Sequence, residues 1–135
     1  MNEFEAALRE FHTTYGMIIE NVPVASQPTE VRKLREDLID EEYRELKEAL
    51  DEEDIYQICK EGIDLLYVVL GMLVTYGVPI TQCFEEVQRS NMSKLDADGK
   101  PIYREDGKVL KGPNYTPADI KRVVDEFVQS KNETL

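Results

Sequence analysis

The sequence predicts an all-α fold, a bundle of four to five helices with a small β-hairpin near the C-terminus. Three observations carry that prediction. Apolar residues recur at three- and four-residue steps over most of the chain, the period of an amphipathic helix. Prolines fall between those periodic segments or at the start of one, and the longest segment, 29–50, holds neither Gly nor Pro. The one stretch with strand and turn chemistry is short, spanning residues 101–110. At 135 residues with 41% hydrophobic composition, the chain suits a single domain covering residues 1–135 with a modest core.

The elements follow in order. A first helix is expected over residues 2–20, where Phe4, Leu8, Phe11 and Tyr15 keep helical spacing. Residues 21–28 hold two prolines and read as a connector. Gln27-Pro28-Thr29 then opens a long second helix over 29–50, free of Gly and Pro. Residues 51–54 form the turn into a third helix over 55–76, which Gly77 and Pro79 stop. A fourth helix is expected over 80–92. Composition then shifts to Gly, Lys, Pro and Asp, and residues 101–110 suggest a hairpin turning at Asp106-Gly107. Asp96-Ala97-Asp98-Gly99 lacks the flanking helices and late Glu of a calcium loop and reads as a turn. Thr116-Pro117 starts a last helix that fades near Ser130, with frayed final residues.

Bulk properties exclude several classes. The formal charge of -12 argues against nucleic acid as a partner, since phosphate backbones are held by clustered Lys and Arg. Two cysteines, Cys59 and Cys83, are too few for a disulfide framework or a zinc site. A triad built on histidine has only His12 to use, and nothing local supports one. The N-terminus carries acids early and no signal-peptide core, and the apolar run 65–74 is too short to span a bilayer. A cytoplasmic protein without membrane partners is expected.

The informative feature lies on the second helix. At about 100° per residue, Val31, Leu34, Leu38 and Ala49 form one apolar stripe. Glu42 and Glu45 fall inside that stripe and Glu41 on its edge, while Asp37, Asp40, Arg44, Lys47 and Glu48 lie elsewhere. A carboxylate facing the core is costly unless something neutralises it. The third helix is apolar nearly all round from Ile63 to Val74, yet starts with Glu61 and Asp64, three apart and on one face. An antiparallel hairpin centred near Glu53 brings Glu42 level with Asp64 and Glu45 level with Glu61. Only Lys60, at the edge, is placed to pair with these acids. Oxygen-only ligands in this arrangement suit Mg²⁺, with Mn²⁺ as a substitute, and exclude the His/Cys chemistry of zinc. Such a site activates water and shields the phosphates it attacks.

These residues resemble a known family. Glu41-Glu42-Tyr43-Arg44-Glu45, then fifteen residues, then Glu61-Gly62-Ile63-Asp64, is similar to the EExxE…ExxD metal motif of the all-α nucleotide pyrophosphatases. Phe11-His12 near Tyr15-Gly16, Leu34-Arg35, Ser90-Asn91-Met92-Ser93-Lys94 and the segment from Gly107 to Tyr115 resemble its MazG-like, phosphoribosyl-ATP-pyrophosphohydrolase-like branch. The resemblance implies Mg²⁺ on Glu41, Glu42, Glu45, Glu61 and Asp64, in a homodimer or dimer of dimers. It implies cleavage of a nucleoside triphosphate between the α- and β-phosphates, giving monophosphate and pyrophosphate in nucleotide-pool housecleaning. Glu41 and Glu42 are the catalytic candidates, Glu41 for orienting the attacking water.

Asn91 and Lys94, three apart at a helix end, can meet phosphate oxygens, although Lys94 equally suits the helix C-terminal dipole. Lys111, Tyr115 and His12 complete the candidate substrate contacts. Lys111 also reads as hairpin surface, His12 as a surface or edge residue, and Phe11 as core. Two alternatives stand beside the enzyme: a non-catalytic nucleotide- or metal-binding module, and a hydrolase of phosphoribosyl-ATP. The all-round apolar third helix, with Val68, Val69, Met72 and Leu73, is the expected subunit interface.

Overall fold

The computed structural model describes residues 2–133, which carry five α-helices and no strand. The chain divides into two compact units, Met1–Val78 and Pro79–Leu135.

The first unit holds three helices. In α1 (Glu3–Tyr15), the Asn2 side chain caps the start by accepting from the Glu5 amide at 2.8 Å. The helix ends five residues before the expected Glu20, because Gly16 turns left-handed (φ 70°) and closes the last turn on the His12 carbonyl. The connector that follows is not loose. Ile18 accepts from the Thr75 hydroxyl at 3.0 Å, and the Val24 amide donates to the Tyr76 carbonyl at 2.9 Å. Its backbone groups thus find partners at the end of the third helix.

α2 (Thr29–Glu52) and α3 (Ile55–Thr75) form the helical hairpin that the sequence predicts, with α1 packed on α3. The link is two residues long. Glu53 takes a left-handed conformation (φ 54°), and Asp54 caps α3 by accepting from the Tyr56 and Gln57 amides at 3.0 and 3.3 Å. Ala49 is buried, and Gly62 stands against Leu46, so small residues let the two helices approach. Val74, Thr75 and His12 are the most completely buried large side chains. Burying a valine of this kind contributes on the order of 2 kcal/mol.

The expected stripe on α2 needs one correction. Leu34 is 46% exposed, and its neighbour Arg35 takes the buried place at 7%. Arg35 faces α1 and α3: its Nη2 lies 3.4 Å from His12 Nε2 and 3.5 Å from the Met17 sulfur. Gly71 makes room for it, since a Cβ there would sit 2.8 Å from Arg35 Nη1.

The second unit holds α4 (Ile80–Met92) and α5 (Ile120–Glu133) with the loop between them. The expected hairpin is reduced to a single antiparallel bridge, Tyr103 with Val109, flanked by two backbone bonds. The turn is where expected, with Gly107 at φ 92°. Strands do not develop because Tyr103 to Val109 are all exposed and no neighbouring strand pairs with them.

The last helix starts at Ile120 and not at Thr116-Pro117, because side chains of α4 take the backbone groups of the preceding segment. Ser90 Oγ donates to the Thr116 carbonyl at 2.8 Å, and Ser93 Oγ accepts from the Thr116 amide at 3.0 Å. Arg89 donates to the Pro117 carbonyl and Glu86 accepts from the Asp119 amide, at 3.1 and 3.0 Å. The Asp119 side chain then accepts from the Arg122 amide and opens α5. The helix continues past the expected end at Ser130 to Glu133; residues 134 and 135, where fraying was expected, lie outside the described part. Buried Glu86 ties the unit together, with Arg89 first among the groups that hold its carboxyl near 2.

Candidate metal centre

The α2–α3 hairpin carries the acids. Glu42, Glu45 and Glu61 each offer a carboxylate oxygen, and these atoms all lie within 4.8 Å of one another. Glu61 is 7% exposed, while Glu42 and Glu45 are half-buried. One oxygen of Glu42 and one of Glu61, both named Oε2, are buried with no hydrogen-bond partner. An unpaired buried carboxylate oxygen is costly, so the pair marks a place built for a partner that the chain does not supply. A cleft of about 130 Å³ opens beside Glu45 and Glu61, lined also by Glu48, Ala49, Glu52 and Gln57.

The electrostatics report the same crowding. Burial, then the charges of Glu45 and Asp64, push the Glu42 carboxyl up to about 7. Glu45 is raised as well, first by the Glu61 carboxyl against it and then by burial. Like charges this close disfavour joint ionisation, and a divalent cation among them reverses that preference. A donor set of oxygens alone, with two of them buried and vacant of protein partners, fits a hard divalent cation.

Asp64, the fourth expected acid, is turned to Lys60, whose ammonium lies 2.7 Å from Asp64 Oδ2 and 3.4 Å from Glu61 Oε1. These contacts raise the lysine pKa, the Asp64 bond first. Glu41 is exposed on α2 beside Glu42, outside the group of three.

The remaining candidates are placed differently. His12 is not a surface or edge residue: it is 1% exposed, with Nδ1 donating to the Ile18 carbonyl at 3.1 Å. Nε2 is then the acceptor facing Arg35. Burial lowers its pKa, and the nearby Arg35 and Arg9 charges add to that. Buried among α1, α2 and α3, His12 is in no position to contact a substrate. Phe11, expected as core, is half-buried between Tyr15 and Tyr67, with ring centroids 4.6 and 5.6 Å away.

In the second unit, Asn91 and Lys94 line a cavity of about 430 Å³ with Met92, Leu95, Pro101 and Val109. The loop is held there because the Gly112 amide donates to the Lys94 carbonyl at 2.8 Å, an approach that any Cβ at Gly112 would block. Lys111 and Tyr115 meet each other, the ammonium 4.8 Å from the ring centroid. Sequence reasoning missed Arg35, which it grouped only as part of a resemblance. A helix-face argument assigns a charged residue to solvent by default.

Residues 8–91 match the phosphoribosyl-ATP pyrophosphohydrolase family, well over half of the chain. The chain belongs to that family. The matched segment includes all of α2 and α3, and with them the whole acid cluster. The chain is also 28% identical over 131 residues to the uncharacterized protein L479 of Acanthamoeba polyphaga mimivirus. That match covers 93% of this chain and 49% of the viral one, so the chain spans about half the length of its relative. Among solved structures, a candidate NTP pyrophosphohydrolase from Exiguobacterium sp. 255-15 is 24% identical, matched over 99% of each chain with a TM-score of 0.48. Among the described residues, no single helix is long and apolar enough to cross a membrane.

Proposed function

We propose that this family member is a Mg²⁺-dependent nucleoside triphosphate pyrophosphohydrolase that cleaves between the α- and β-phosphates, releasing a nucleoside monophosphate and pyrophosphate. The observation that carries the reading is a buried, unpartnered oxygen on each of Glu42 and Glu61, two of the three residues whose carboxylates, with Glu45, come within 4.8 Å of one another. Glu42, Glu45 and Glu61 would hold the cation, with Asp64 joining them. Mn²⁺ is the natural substitute for such a donor set. When bound, the divalent ion supplies charge neutralisation on the phosphate oxygens and a lowered pKa for water.

The chain's own groups do the rest. Glu41, exposed on α2, and its neighbour Glu42 are the groups assigned to orient the attacking water and take its proton. Asn91, Lys94, Lys111 and Tyr115 are assigned to the substrate, Lys94 as a point charge on phosphate oxygen. The exposed apolar residues of α3, Ile55, Ile63 and Leu66, support a homodimer or a dimer of dimers. Free Cys59 and Cys83 are in keeping with a reducing cytoplasm, where nucleoside triphosphates and Mg²⁺ are both at hand.

The test is a product assay with purified protein, Mg²⁺ and a panel of ordinary, deoxy- and modified nucleoside triphosphates, with phosphoribosyl-ATP included. The family match favours that last substrate as the second reading. Chelator-sensitive release of pyrophosphate and a monophosphate is expected, and the panel ranks the substrates. Orthophosphate as the product, or silence across the panel from protein that binds Mg²⁺, overturns the proposal in favour of a binding module.

A further inference from the structure

We infer that Lys60 is a displaceable counter-ion of the metal centre: its ammonium holds Asp64 out of the ligand set until a divalent cation takes that carboxylate over. The inference rests on the metal reading above and concerns how the site is loaded.

The geometry separates the four acids into two groups. Glu42, Glu45 and Glu61 converge on one another, whereas Asp64 Oδ2 sits 2.7 Å from Lys60 Nζ. The same ammonium reaches Glu61 Oε1 at 3.4 Å. It therefore pairs with Glu61 Oε1, while Glu61 Oε2 and Glu42 Oε2 stay buried and unpartnered.

Mobility differs in the same sense. The Glu61 side chain is only 9% exposed, but Lys60 and Asp64 are 63% and 37% exposed. Glu61 is fixed by its burial, while the ammonium can swing into solvent on its four-carbon stem, giving up its contacts with Asp64 and Glu61 Oε1 to the incoming cation. The order along α3, a cation four residues before its acid, is also the less favourable orientation for a helical ion pair. No other Lys or Arg makes an ion pair with any of the four acids among the described residues. The exchange is one ion for another on Asp64: the ammonium contact breaks, the metal contact forms, and Lys60 stays protonated throughout.

The experiment is calorimetric titration of MgCl₂ and MnCl₂ into the nucleotide-free protein, comparing wild type, Lys60→Met and Lys47→Met. Lys47 carries the same charge on α2 but lies over the Tyr43 ring at 5.3 Å and makes no ion pair with the acids. An exposed helical ion pair is weak, so removing the competitor should tighten divalent binding about two- to fivefold. Lys47→Met, which alters only the distant field, should change it by less than about 1.5-fold.

A second readout follows the side chain itself. In ¹⁵N-lysine-labelled protein, the resonance lost in Lys60→Met should shift on Mg²⁺ addition toward that of a free lysine. Equal effects in the two variants, or a Lys60 signal that ignores Mg²⁺, overturn the displacement and leave the metal site standing. No saturable binding in any of the three proteins removes the metal site, and the displacement with it.

Discussion

Glu42→Gln should make the metal-free protein more stable at pH 8 while destroying the site. The Glu42 carboxyl is pushed from 4.5 up to about 7 by burial and by the charges of Glu45 and Asp64. A carboxyl raised in the folded state favours folding when protonated. Its contribution is fully present below the unfolded value near 4.5 and is lost as pH rises through about 7. At roughly 1.4 kcal/mol per pH unit the loss is capped at about 3.4 kcal/mol. Glu42 is half-buried, and solvent screening brings a realistic figure to about 1–2 kcal/mol. Glu45 is raised in the same direction and adds to the slope. Urea denaturation in EDTA at pH 5 and pH 8 measures it. Wild type should lose about 1–2 kcal/mol across that window from this carboxyl, and Glu42→Gln should lose distinctly less and be the more stable protein at pH 8. Mg²⁺ should stabilise wild type at pH 8 and do little for the variant. A variant that is less stable at pH 8 in EDTA, with an unchanged pH dependence, would refute the crowding argument.

His12 pulls stability the other way. Its pKa is lowered by burial, so its contribution is present above the unfolded value of 6.5 and lost as pH falls below it. As the chain's single histidine it gives one imidazole signal, and an NMR titration should find a midpoint below 6.5; a value at or above 6.5 contradicts the buried, neutral ring. Gly77→Ala should destabilise the first unit by about 2–4 kcal/mol in urea, because the residue is left-handed at φ 74° and a Cβ would lie 2.2 Å from the Val22 carbonyl oxygen. A loss under about 0.5 kcal/mol would show that the connector gives way freely. Asp64→Asn should leave the melting curve within a few degrees of wild type and lower metal-dependent pyrophosphate release by about a hundredfold or more. Full activity would take Asp64 out of the site.

How much of this was readable in the sequence depends on what kind of signal each residue leaves. The α2–α3 hairpin was legible because helical period on both sides of a short turn centred near Glu53 leaves one register, which sets Glu45 against Glu61, although α2 runs to Glu52 and the turn is shorter than the expected 51–54. The start of α5 was not, because Thr116-Pro117 carries a helix-start pattern that only Ser90, Ser93 and Arg89 of another helix override. The hairpin at 101–110 kept its turn chemistry and lost its strands, since turn signals are local and strand pairing needs a partner.

The contrast is sharpest along one face of α2. Arg35 and Glu42 are seven residues apart, two turns on the same side of the helix, and both break the rule that charge faces solvent. The acids betray themselves because Glu42 and Glu45 are answered by Glu61 and Asp64, a relation between two segments that spacing alone reveals. Arg35 is answered by one nitrogen of His12, the sulfur of Met17 and the bare Cα of Gly71, single residues from three places with no shared period. A buried charge leaves a trace in the sequence only when its partners repeat. Lys60 lies between the two cases: its four-residue spacing from Asp64 is visible in the sequence, but that the same ammonium also reaches Glu61 is visible only in the structure.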